Sequence, residues 1–201
     1  MLVEVCVQNL EAAEIASEAG ADRLELCENL AVGGVSPPEA LVREIQNLID
    51  MPIHVLVRPR DGGFVYSAHE YATILQEIRG YKKLGVVGIV VGILREDQTI
   101  DLDRINEIRG LTIDLHLTFH RAFDQVADPV QALKDLESIG VNTILTSGQR
   151  NTALEGLDLL HELKEMAGDM TIMPGAGINP DNIHVFEDAG FKAIHFSGTR
   201  K

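Results

Sequence analysis

The feature that most restricts how this chain can fold is a regular alternation of short strand-like runs with amphipathic helical segments. The runs are VEVCV (3–7), RLELC (23–27), IHVLVRP (53–59), GIVVGIL (88–94), LHLTFH (115–120), NTILTS (142–147), TIMPG (171–175) and AIHFS (193–197). Each is bounded by turn residues or helical pattern, and several alternate apolar and polar side chains with the period of a strand. Helices are signalled by Ser36 before Pro37 and Pro38, and by Asp128 before Pro129. Gly20, Gly85, Gly140 and Gly190 end helices just before a strand. Eight such units predict a parallel sheet closed on itself, a small (β/α)8 TIM-type barrel. The competing open, doubly wound sheet lacks its G-x-G-x-x-G after the first strand.

The 201 residues suit one domain spanning 1–201, shorter than the ~250 typical of this fold. After the eighth strand only GTRK follows, so the eighth helix is expected to be missing or truncated. An apolar strand face left without its helix favours an interface, and we expect a homodimer.

Closure assigns the two sides of each strand. The outward set, lying under helices, is Val3, Val5, Val7, Leu24, Leu26, Ile53, Val55, Val57, Leu115, Leu117, Phe119, Ile194 and Phe196. The inward set is Glu4, Cys6, Arg23, Glu25, Cys27, His54, Leu56, Arg58, His116, Thr118, His120, His195 and Ser197. So many ionisable groups on one axis must pair or serve chemistry. Arg23 and Glu4, early in their strands, read as scaffold, with Arg23 pairing Glu4 or Glu25. Groups at the C-terminal strand ends, namely Glu25, Cys27, Arg58, His120, Thr146, Ser147 and Ser197, fall where active sites of this fold lie.

The loops at that end, ENLAVGGVS, RPRDGGFVY, RAFDQVAD and GAGINPD, are rich in glycine and arginine. Arg58, Arg60 and Arg121 could hold an anion there. Gly175, Gly177 and Gly198 resemble a phosphate cradle, with Ser147 and Ser197 nearby, although glycine also simply makes turns. One reading is therefore an enzyme acting on a small anionic or phosphorylated substrate, with Glu25 and His120 as acid and base.

Several classes are disfavoured. A formal charge of −14 argues against nucleic-acid binding. No apolar run approaches the ~20 residues of a membrane span, and MLVEVCVQNLEAAE does not read as a signal peptide, so a cytoplasmic protein is expected. None of Lys82, Lys83, Lys134, Lys164, Lys192 or Lys201 sits inward on a strand, which disfavours Schiff-base chemistry. A G-x-S-x-G elbow is absent.

Cys6 and Cys27 end the near repeats EVC and ELC on consecutive strands. Strands roughly 4.8 Å apart could let the two sulfurs share one soft ion, for which Cu(I) is suited. Strand stagger works against that match, and both cysteines could equally be small buried hydrophobes.

EVCV (4–7), GADRLELCENLAVGGVSP (20–37), VRPRDGGFVYSAHE (57–70), TFHRAFD (118–124), ILTSG (144–148), ALEGLDLL (153–160) and MPGAGIN (173–179) together resemble the CutC family over nearly the whole chain. That resemblance implies a small (β/α)8 barrel, a cytoplasmic location and a part in copper homeostasis, with Cu(I) on the cysteines matching Cys6 and Cys27.

Overall fold

The structure, a computed structural model, describes residues 1–198. Residues 199–201, which hold Lys201 and most of the GTRK tail, lie outside the described residues. Eight parallel strands form one sheet: β1 (Leu2–Val7), β2 (Arg23–Leu26), β3 (Ile53–Leu56), β4 (Gly88–Val91), β5 (His116–Phe119), β6 (Thr143–Thr146), β7 (Thr171–Pro174) and β8 (Ala193–Ser197). Their order is β7-β6-β5-β4-β3-β2-β1-β8, and a parallel bridge between Gly175 and His195 joins the two ends. The sheet is thus the (β/α)8 barrel expected from the sequence. Among the described residues, seven α-helices connect the strands: α1 (Leu10–Glu18), α2 (Glu39–Leu48), α3 (Ala68–Lys83), α4 (Leu102–Leu111), α5 (Pro129–Ile139), α6 (Leu157–Met166) and α7 (Ile183–Asp188). Among the described residues no helix follows β8.

Local chemistry sets the boundaries. The Asp128 side chain accepts from the backbone N–H of Gln131, and Pro129 follows at the first helical position of α5. The helix ends at Gly140 with φ of 83°, which a side chain would resist. Ser36 does not cap α2. Its hydroxyl instead donates to Glu77 (2.7 Å) and accepts from the Arg58 backbone N–H (2.8 Å), and Pro38 occupies the capping position. The apolar run 88–94 outlasts its strand, because the chain leaves the barrel after Val91 and Leu94 bridges to Ile100. Two 3-10 turns, Leu30–Val32 and Arg121–Gln125, occupy loops at the C-terminal strand ends.

The outward residues named above all join the main apolar cluster between strands and helices. Inside, Cys6, Cys27, Leu56 and Val90 form one small apolar group, and Leu145, Met173 and Ala193 form another. Polar residues fill the space between. Gly88 pairs in register with both His54 and His116, and its missing side chain lets the two imidazoles approach to 4.9 Å between ring centres. No described helix is long and apolar enough to cross a membrane.

Candidate functional site

Strand register assembles the floor of the site. Glu4 lies opposite Arg23 on one neighbour and His195 on the other, and Cys6 lies opposite Glu25 and Ser197. Parallel strands roughly 4.8 Å apart place those inward side chains within reach of each other. Glu4, fully buried, accepts from Arg23 Nε at 2.6 Å and holds His195 Nδ1 at 2.8 Å, with His54 Nδ1 at 3.6 Å. The pairing expected for Arg23 is therefore with Glu4. Burial pushes the Glu4 carboxyl up, but the hydrogen bond and charge of His195, with Arg23 and His54, overcome it and hold the group at about 2.

His195 stands between two carboxylates, its Nε2 being 3.5 Å from Glu25 Oε2. Burial favours the neutral ring, yet the charges of Glu25 and Glu4 outweigh it and raise the imidazole's pKa. The Glu25 carboxyl is raised by burial and by Glu4, against the pull of His195. In its neutral form His195 donates Nδ1–H to Glu4 and leaves the Nε2 lone pair facing Glu25 and Cys6. A carboxylate behind a histidine in this way fixes a metal-ligating tautomer. One ligand atom each from Cys6, Glu25 and His195 lies within 4.8 Å of the others. Alternation along β8 puts His195 inward but gives it no role. Its signal was its height on β8, level with Glu4.

The two cysteines differ. Their sulfurs are 3.0 Å apart, and both remain thiols. Cys6 faces a cavity; Cys27 does not line it and is wholly enclosed, its sulfur 3.6 Å from the Val7 carbonyl oxygen. Two metal–sulfur bonds of about 2.3 Å across that gap would subtend only about 80°, far from the wide angle a two-coordinate ion takes. The expected dithiolate pair therefore does not fit an ion between its sulfurs as they stand. The Cys6 thiol is pushed well up by its hydrogen bond to Cys27, then by burial and the Glu25 charge.

The cavity, about 520 Å³, opens at the C-terminal ends of the strands. Arg58, His120, Arg121, Gly177 and Ser197 line it together with Cys6 and Glu25. Arg60, Ser147 and Gly175 do not. Arg60 pairs with Glu70 and donates to the Gly63 and Val65 carbonyls, so it staples the loop from β3 to α3. Ser147 is buried behind the wall, where Asp124 and the Arg121 guanidinium meet its hydroxyl at 3.0 Å each. Gly175 provides the barrel closure by bridging to His195, and a side chain there would run into the tip of Leu145. The loop beyond it turns through Ala176 (φ 79°) and Gly177 (φ 72°), and a left-handed alanine is a feature no residue pattern announces.

The surroundings of His120 do not favour the acid or base role expected of it. Its Nδ1 accepts from the Ala122 backbone N–H at 3.1 Å, and burial with the nearby Arg58 charge pushes the imidazole down to about 3. It is a neutral ring with its proton on Nε2.

The sequence profile of the CutC family matches residues 1–200. A CutC family protein of Salmonella agona is 41% identical over 196 residues, covering 98% of this chain and 79% of its own. Among solved structures, a Streptococcus agalactiae CutC, whose name ties it to copper homeostasis, superposes with a TM-score of 0.92 at 31% identity over 98% of each chain. A 2,3-dimethylmalate lyase superposes at 0.69 with 16% identity, over 98% of this chain and 75% of its own, and shares the fold alone. The fold, the profile and these relatives agree that the chain belongs to the CutC family.

Proposed function

We propose that this protein binds one Cu(I) ion as cargo at the floor of the barrel mouth, between the Cys6 thiolate and His195 Nε2, with Glu25 beside them. The observation that supports this reading most is the convergence of those three donors within 4.8 Å. They come from three adjacent strands, and their free side faces the cavity, so an ion held there can be passed on. Thiolate and imidazole suit copper, and the name of the Streptococcus agalactiae relative points the same way. Cys27 acts from behind as a hydrogen-bond partner of Cys6. A reducing cytoplasm, the location expected from the sequence, keeps both thiols available.

Binding displaces the Cys6 proton, and the Nε2 proton wherever His195 is still charged, so affinity should climb at least about tenfold per pH unit through the neutral range. Anaerobic titration against a competing chelator at several pH values is expected to show one ion per chain and that slope. A flat pH profile, or no stoichiometric uptake, would count against the reading.

In the same proposal the protein is a homodimer. The outer face of β1 and β8 supports this: Val3, Val5 and Phe196 line an open apolar groove with the 47%-exposed Ile15 of α1. Sedimentation equilibrium should give twice the chain mass, and a monomer at micromolar concentration would dismiss the dimer.

A further inference from the structure

A single ion leaves most of the cavity without a purpose. Its volume, about 520 Å³, lies in the range of sites that enclose a small molecule. The part formed by β3 and β5 is built differently from the copper floor. Arg58 is only 6% exposed, and its Nη atoms donate to the carbonyl oxygens of Val32 (3.1 Å), Gly34 (2.8 Å) and Gly62 (2.8 Å). Carbonyls do not neutralise a guanidinium. Among the described residues, no carboxylate lies within ion-pairing distance of it. A buried cation without a counter-charge is costly unless something supplies one.

His120, 5% exposed, is the second unusual group. With Nδ1 accepting from Ala122, its proton is on Nε2, and that buried N–H has no hydrogen-bond partner among the described residues. Such a donor is rarely left unpaired without a reason. Phe64 packs against both groups, its ring centre 4.9 Å from that of His120 and 5.1 Å from the Arg58 guanidinium carbon. Among the described residues, the only carboxylate lining the cavity is Glu25, and it already faces His195. In a chain of net charge −14, this cavity is therefore a place where an anion is favoured.

We propose that the cavity binds a small organic anion, with its carboxylate or phosphate group beside Arg58 and one ligand oxygen accepting the Nε2–H of His120. The apolar body of the ligand rests against Leu30, Leu56 and Phe64, which line the same space. This site uses none of the proposed copper ligands, and it stands or falls independently of them.

The test uses the full chain with no metal added and three probes: benzoate, phenyl phosphate and uncharged benzyl alcohol. The His120 Nε2–H proton is followed by NMR, and affinity is measured by calorimetry. At least one anion is expected to bind and to move that proton downfield, and benzyl alcohol to do neither; which anion binds identifies the charged group. His120→Phe, which keeps the ring and removes the donor, should weaken binding at least about tenfold. If that variant does not fold, the wild-type proton shift alone decides. No shift with either anion at about 10 mM overturns the proposal, as does equal binding by His120→Phe.

Discussion

The Cys6→Ser variant is expected to lose at least about a hundredfold in Cu(I) affinity, and Cys27→Ser only about tenfold. The difference follows from where the two sulfurs lie. Cys6 faces the cavity within reach of Glu25 and His195, while Cys27 is wholly enclosed behind it, its sulfur against that of Cys6. Serine keeps the size of both side chains, so folding should change little in either variant. Equal losses in the two variants would restore the dithiolate, and unchanged affinity in both would remove copper from this site altogether. Chelator competition under anaerobic conditions distinguishes the three results.

A second large effect is expected in the barrel interior, where Glu4→Gln should destabilise the fold by about 3–5 kcal/mol. The carboxylate of Glu4 is the charge partner of the buried Arg23 and holds His195 as well. An amide of the same shape leaves the guanidinium uncompensated. Adding Arg23→Met should recover much of the loss, since removing both charges also removes the desolvation penalty. The pH dependence has a definite sign. Because the folded Glu4 carboxyl sits at about 2, below its ordinary 4.5, its contribution is present above about pH 4.5 and is lost as pH falls toward 2. Urea midpoints for the three proteins, and for the wild type down the acid range, would check this. A Glu4→Gln change under about 1 kcal/mol would mean that the interior charges are not coupled in this way.

The layer architecture was legible because closure leaves the sequence little choice. An outward strand face must be apolar to meet helices, so Val55, Leu117 and Ile194 could be assigned by alternation alone, and their polar neighbours fell inside. The floor of the site was partly legible for the same reason, since period two puts Glu4, Cys6, Glu25 and His195 on the axis. What alternation cannot supply is height. EVC and ELC look level in the sequence, but Cys6 pairs with Glu25, which puts Cys27 one step farther along and under the loop at Gly34. Arginines in loops were the least legible. Arg58 and Arg60 are two residues apart, yet one lines the cavity and the other binds Glu70, a choice made by the path of the loop. The state of His120 depends on one backbone N–H, that of Ala122, and no side-chain pattern reveals it.

X-ray absorption at the copper edge of the Cu(I)-loaded wild type tests the central claim most directly. The account predicts one sulfur at about 2.2–2.3 Å together with nitrogen or oxygen scattering that includes an imidazole signature, from Cys6 and His195. Two sulfurs and no imidazole, or a protein that retains no copper through desalting, would contradict it.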